Sequence, residues 1–315
     1  LIPMKFVTRG LSIQLGGNND GTPWESPFWV NPKQSYYEVV QNGNYKDLVY
    51  HVWSYWANSS RVPQDYSQTI GPAEDWMTVG SKYYTNDMHH LYSDPYFQNK
   101  VMNNGQHAAY YNYYEMLPLR SQTNISGQTL DAFLAQRYSA DSSKMYGTGS
   151  IFTSNQESYG VNALLVYCLG LLESAWGTSK YAKEYNNLFG WNAVDSDPDK
   201  AKYFDSIEKC IKEQMGINLR GYMDVQNWRF FGYHFGNKGA GFNVKYASDP
   251  YWGLKVAALA YSIDKFAAGY NGDLIDYGTY DLGLINQVNA SVKRYSDANS
   301  STLFNASFSQ SNYMK

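Results

Sequence analysis

Between Val161 and Leu172 the sequence reads VNALLVYCLGLL, without a charge and with apolar residues on every side of a helical projection, and Glu173 follows at once. A helix that is apolar all round has to be buried among other elements, so the chain must build a helical core around this segment. Asn162 can cap its start and Gly177 can end it. Glu173 then emerges in the last turn of a buried helix beside Trp176 and Gly177. Desolvation there favours the protonated carboxyl, and a carboxyl that keeps its proton is what a general acid needs. The plain alternative is that Glu173 points into water.

Further helices follow from the same logic. SIFTSNQESYG, starting near Gly149, reads as a short amphipathic helix stopped by Gly160. Thr178 and Ser179 can cap YAKEYN. Asp205 with Glu208 three residues on resembles a capping box that opens SIEKCIKEQMGINL, where Ile207, Cys210, Ile211, Met215 and Leu219 have helical spacing. Asp249 as cap and Pro250 at the first helical position announce a last helix through LKVAALAYSIDKF to about residue 267.

The flanks read differently. Short β-type runs such as YYEVV and KDLVYHVW, separated by turn words such as QNGN, make residues 1–95 a β-rich region. DWMTVGSKYYTNDMHHLYSD reads as a hairpin turning at Thr85, Asn86 and Asp87. Residues 96–147 read as a connector that ends in a short helix capped by Ser126 or Thr129, and residues 268–315 as a linker followed by the start of a further β-rich repeat. The predicted fold class is α+β, with a helical domain over 148–267 preceded by the β-rich N-terminal region.

Composition narrows the partners. The 315 residues suffice for two or three modules, and no uncharged apolar run reaches the length that spans a bilayer. A net charge of -3 argues against a nucleic-acid binder. Cys168 and Cys210 are too few for a disulfide framework and lack the spacing of a zinc site; they read as buried thiols or as one bridge between neighbouring helices. Leu1 stands where a start methionine would be, and LIPMKFVTRG lacks the apolar stretch of a signal peptide, so localisation must be inferred indirectly. The 31 tyrosines, with 14 phenylalanines and 9 tryptophans, suit rings that stack on sugar faces, though core and sheet would also use them.

ESAWGTSKYAKEYNNLFGWNAVD, followed by RGYMDVQNWRFFGYHFGNKGAGFNVKYASDPYWGLKVA, resembles the family 73 glycoside hydrolases, the endo-β-N-acetylglucosaminidases of Gram-positive autolysins. The ordered motifs E-S-x-x-G-x-S, N-N-L-F-G and Y-A-S-D-P-Y-W-G carry the resemblance over about residues 148–267. Upstream, WMTVGSKYYTNDMHHLYSD and LPLRSQTNIS resemble the β-rich segment that precedes this domain in secreted clostridial-type autolysins.

The resemblance implies a lysozyme-like helical fold. It also implies hydrolysis of the β-1,4 bond on the reducing side of N-acetylglucosamine in peptidoglycan, by a secreted, wall-associated monomer that needs no cofactor and no metal. It places Glu173 on the catalytic acid, Asp195 on a second acidic position, and Tyr246 beside the scissile sugar. Asn187 and Phe189 of N-N-L-F-G, Trp191, His234 and Trp252 are the candidate substrate contacts. Asp195 could activate water in an inverting reaction, with the two carboxyls roughly 6.5 to 9.5 Å apart, or the substrate's own N-acetyl oxygen could attack with retention. Asp195, Asp197 and Asp199 also read as a solvated acidic loop, but not as a calcium loop, because D-S-D-P-D-K lacks the glycine at position six. Gly236, Gly239 and Gly241 of GNKGAGFN suit a mobile flap. A lytic transglycosylase, a muramidase or a decayed wall-binding module are the rival readings.

Overall fold

The computed structural model describes residues 34–54, 64–192, 201–285, 287–293, 299–305 and 312–314. The chain divides into two compact units, Leu1–Tyr111 and Asn112–Lys315, the first built of strands and the second mainly of helices. This is the α+β class expected.

In the first unit, β1 (Tyr36–Asn42), β2 (Tyr45–Ser54), β3 (Gln64–Pro72) and β4 (Lys82–Tyr84) form an antiparallel sheet in the order β3-β2-β1-β4. Alternation decides its inner face: Tyr37 and Val39 of β1 and Leu48, Tyr50 and Val52 of β2 are buried. Gly43, at φ 58°, lets the two-residue loop after Asn42 return the chain into β2. The segment expected as a free hairpin behaves differently. β4 adds to β1, and only Tyr84 bridges to Tyr92, because Asp87 draws the intervening chain into a compact turn by accepting from the backbone N–H groups of His89 and His90. A small ribbon of β5 (Met102–Asn103) and β6 (Gln106–His107) turns at Asn104-Gly105.

The second unit opens with α1 (Tyr113–Met116), α2 (Gly127–Ala135), α3 (Gly149–Tyr159), α4 (Ala163–Glu173) and α5 (Lys180–Tyr185). It continues with α6 (Ile207–Glu213), a π turn over Gln214–Asn218, α7 (Leu219–Met223), a 3-10 turn over Phe242–Val244 and α8 (Trp252–Ala267). β7 (Leu282–Leu284), β8 (Ser291–Lys293), β9 (Thr302–Asn305) and β10 (Asn312–Met314) follow, with β7 paired to β10 and β8 to β9.

α4 is the axis of this unit. Every residue from Ala163 to Leu171 is buried, and α3 and α8 pack against it. Each buried Leu or Val there contributes roughly 1.5–3 kcal/mol, which makes α4 the element that organises the rest. Asn162 caps it by accepting from Leu165 N, Gly160 ends α3 in the left-handed region, and Ser179 caps α5. Cys168 and Cys210 are both free thiols in the interior.

Two boundaries differ from the pattern. α4 stops at Glu173, short of Gly177, because Ala175, Trp176 and Gly177 all take positive φ (49°, 62° and 76°) and turn the chain sharply. α8 begins at Trp252, since Asp249 spends its side chain on Tyr251 N and on the Lys255 ammonium. The chain on both sides of the helical bundle is fastened to it as well. α1 packs on α8, and Asp264 of α8, fully buried, accepts from the Tyr114 hydroxyl and from the backbone N–H groups of Ile275 at 2.7 Å and Tyr277 at 3.0 Å. Asp276 in turn accepts from the Thr123 hydroxyl and from Asn124 N at 2.8 Å. Stretches that read as connector and linker are thus held by buried carboxylates bonded to main chain.

Candidate active site

Glu173 ends α4, where the apolar interior of the helix reaches a half-exposed edge. The backbone just after it is strained. Trp176 is a bulky residue at φ 62°, a conformation that costs an L residue roughly 1–2 kcal/mol, and it persists because its neighbours over-determine it. Trp176 N donates to Leu171 O at 2.7 Å, Ser143 Oγ donates to Trp176 O at 2.6 Å, and Gly177 N donates to Ser174 Oγ at 2.7 Å. Gly177 must lack a side chain, because a Cβ there would stand 2.5 Å from Ser143 Oγ and 2.7 Å from Met145 N. The motif E-S-A-W-G therefore has a physical reading. Ser174 ties the turn and the glycine clears it, so the last helical carboxylate is delivered to the edge of the core.

Trp252, the first residue of α8, donates its indole N–H to Glu173 Oε1 at 2.7 Å. Burial raises the pKa of Glu173, and the Trp252 hydrogen bond partly offsets it by favouring the ionised form. Tyr246 stacks on the Trp252 ring with centroids 4.6 Å apart and planes 23° from parallel. Its phenol is held well above the ordinary range by burial and then by the nearby charge of Glu173, so it remains a hydroxyl. Gln214 Nε2 donates to that hydroxyl oxygen at 3.2 Å, while Gln214 Oε1 accepts from Trp191 Nε1 at 2.5 Å. Glu173, Trp252, Tyr246, Gln214 and Trp191 are thereby one continuous polar and aromatic chain drawn from four separate stretches of sequence.

Residues 149–265 match the Glucosaminidase family model, described as Mannosyl-glycoprotein endo-beta-N-acetylglucosaminidase. The match runs from the start of α3 through most of α8. Two proteins of Streptococcus pneumoniae, strains TIGR4 and R6, each bearing the name "Putative endo-beta-N-acetylglucosaminidase", are 35% identical to it over 209 residues, or 66% of this chain. The chain spans only 29% and 27% of those relatives' own length. Among solved structures, S. aureus autolysin E is similar with a TM-score of 0.40, both as a catalytic mutant with the disaccharide NAG-NAM, at 19% identity, and with the muropeptide NAM-L-Ala-D-iGlu, at 20%. These cover 55% and 56% of this chain and 86% and 87% of the autolysin E chains.

Within the matched stretch the remaining expected residues fall into two groups. Glu173, Tyr246 and Trp191 are partly buried, between the core and the surface. Asn187, Phe189, His234 and Trp252 are buried, at 1%, 4%, 1% and 4% exposure, and hold the site from behind. Asn187 does so by closing its own turn: its Oδ1 accepts from Trp191 N at 3.0 Å and its Nδ2 donates to Trp191 O at 3.0 Å. Lys202 lies 4.5 Å from the Trp191 ring centroid and pairs with Glu213. Asp195, like Asp197 and Asp199, lies outside the described residues. Among the described residues no group of three His, Cys, Asp or Glu side chains is placed to hold a metal ion.

The glycine-rich loop expected as a flap is pinned. Gly236 N donates to Glu115 O at 3.2 Å, Gly241 N to Phe231 O at 2.7 Å and Phe242 N to His234 O at 2.8 Å. Lys238 Nζ bonds the carbonyls of Asn243 and Ala247 at 2.6 and 2.5 Å. Gly253 lets this loop approach α8, since a Cβ there would meet Gly236 O at 2.0 Å. The loop is the rear support of Trp252. Its glycines serve close packing, which in a sequence has the same appearance as mobility.

Gln214 is the functional residue that pattern reading passed over. The signal was present: Ile207, Cys210, Ile211 and Met215 mark an apolar helix face, and Gln214 lies on that face, fully buried. A buried amide on a core face needs hydrogen-bond partners, and here they are Tyr246, Trp191 and Asn218.

Proposed function

We propose that this chain is a peptidoglycan hydrolase, an endo-β-N-acetylglucosaminidase, with Glu173 as proton donor to the glycosidic oxygen. The observation that carries this reading is the Glu173 carboxyl, set at the end of a buried helix with its pKa raised by burial and its orientation fixed by Trp252. Bond cleavage leaves positive charge at the anomeric carbon, and Glu173, once ionised, is steadied by the indole N–H it already accepts from. Tyr246 accepts from Gln214, which leaves its own O–H proton to donate, and we assign it to the acetamido group of the scissile sugar. Trp191 supplies the half-exposed ring on which a sugar face can stack. Asp195 remains the candidate second acidic group, and the N-terminal strand unit a candidate wall-binding module. A secreted, wall-associated location follows from a substrate that lies outside the membrane.

Product chemistry tests the reading. Purified Gram-positive sacculi are digested with the chain, and the products are reduced with borohydride and identified by mass spectrometry. Reduced N-acetylglucosamine ends are expected. Reduced muramic acid would make the enzyme a muramidase, an anhydro sugar a lytic transglycosylase, and binding without new ends a wall-binding module.

Trp252→Phe tests the electrostatics. The indole N–H stabilises the ionised carboxyl, so its removal raises the Glu173 pKa further. The protonated form is the active acid, and the alkaline limb of the pH–rate profile is expected to move to higher pH. A limb that stays in place or moves down would show that Trp252 does not set the acid's ionisation.

A further inference from the structure

We propose that Arg120 and Arg220 form a binding site for a small oxyanion, a carboxylate or phosphate group carried by the wall polymer, beside the π turn. Arg120, Ser158, Tyr159, Met215, Gly216 and Arg220, with Met223, line a cavity of about 150 Å³. Among the described residues no acidic one lines it. Both arginines are exposed, and among the described residues neither guanidinium forms an ion pair or donates a hydrogen bond.

The larger neighbouring cavity, of about 400 Å³, makes the contrast. It shares Tyr159 and Gly216, and its charges are matched within the chain: Lys209 with Asp205, Lys212 with Glu208 and Glu213 with Lys202. Of the two, the smaller cavity is the one that concentrates positive charge without a partner among the described residues. A planar guanidinium presents paired N–H donors that fit a carboxylate or phosphate edge, and two of them on one small cavity suit a single oxyanion.

Both arginines are placed by hydrogen-bonded backbone. Arg120 follows Leu119, whose N–H donates to Tyr233 O at 2.7 Å and whose carbonyl accepts from Asn162 N at 2.8 Å. Its Nη1 passes over Gly160 at the end of α3, within 3.6 Å of where a Cβ would stand. Arg220 rides on α7, directly after the π turn. Gly216 keeps the cavity open toward Tyr159, because a Cβ there would meet the ring at 2.7 Å. Gln214 bonds Tyr246 and Trp191, while Met215 and Gly216, the next residues of the same turn, line this cavity. An oxyanion bound here would therefore register the substrate against the element that carries Gln214.

The substrate class rests on the proposed function, and the test separates the two. Calorimetric titration of the full chain carrying Glu173→Gln uses glutarate as the carboxylate probe and inorganic phosphate as the other. One or both should bind, and Arg120→Ala with Arg220→Ala together should weaken that binding at least tenfold while thermal melting is unchanged. Binding of glutarate alone assigns the site to peptide carboxylates of peptidoglycan, and of phosphate alone to phosphate groups. In the active chain, the same double substitution should raise KM on intact sacculi and leave the rate on peptide-free, phosphate-free glycan unchanged. Absence of binding by both probes, or binding that survives the double substitution, overturns the proposal. A parent that binds an oxyanion through these arginines but cleaves no glycan would overturn the glucosaminidase reading alone.

Discussion

Glu173→Gln is expected to lower the rate of glycan cleavage by about 10²–10⁴-fold, the range that a positioned general acid supplies. Glutamine keeps an oxygen to accept from Trp252 Nε1, now at 2.7 Å, so the site should stay assembled and the melting temperature should change little. The wild-type rate should fall as pH rises through the raised Glu173 pKa, since only the protonated carboxyl can donate. The residual activity of the variant should lack that limb. The check is release of reducing ends from sacculi across a pH series, with both proteins at matched folded fraction. A variant within tenfold of the parent would remove Glu173 from the role of acid.

The second large effect concerns stability. Glu115, in α1, is 5% exposed, and its Oε1 has no hydrogen-bond partner. Burial alone pushes its pKa up to about 8, against an ordinary value of 4.5. The folded chain thus holds a proton that the unfolded chain releases between those two values. By linkage, stability falls as pH rises through that window and levels off above it. At about 1.36 kcal/mol per unit, the loss at pH 8 is on the order of 4 kcal/mol. Glu115→Met removes the ionisable group at similar length, so it is expected to stabilise the chain at pH 8 by about 2–4 kcal/mol and to flatten the pH dependence between 5 and 8. Urea unfolding at pH 5.5 and pH 8 reads both quantities. A variant less stable than the parent at pH 8 would mean that the Glu115 carboxyl makes a favourable interaction outweighing its burial. The position matters because the Glu115 carbonyl accepts from Gly236 N, in the loop that backs Trp252.

Elements whose signal is local were legible in the sequence. The all-round apolar surface of α4 required burial, and Asn162, Ser179 and Gly160 act as the caps their residue types suggest. The β-type runs YYEVV and KDLVYHVW fall within β1 and β2. Glu173 was legible for the same reason, since a carboxyl that ends an uncharged buried helix carries its electrostatic environment in the residues before it. The helix end was misplaced because left-handed φ at Ala175 and Trp176 has no side-chain signature, and neither residue type favours that conformation. Trp252 and His234 were legible as aromatic and ring residues near the site, but their burial at 4% and 1% exposure was not.

The sequence by itself determined the helical core, the β-rich first unit and the acid at the end of α4, because helix periodicity, strand alternation and capping act over a few residues. Only the tertiary structure decided what surrounds that acid. Trp252 reaches Glu173 from 79 residues away, Gln214 reaches Tyr246 from 32, and Asp276 fastens Asn124 from 152. Such pairings are set by tertiary packing, and the hydrogen bonds that lock them form where that packing has excluded water and left the polar groups only one another as partners.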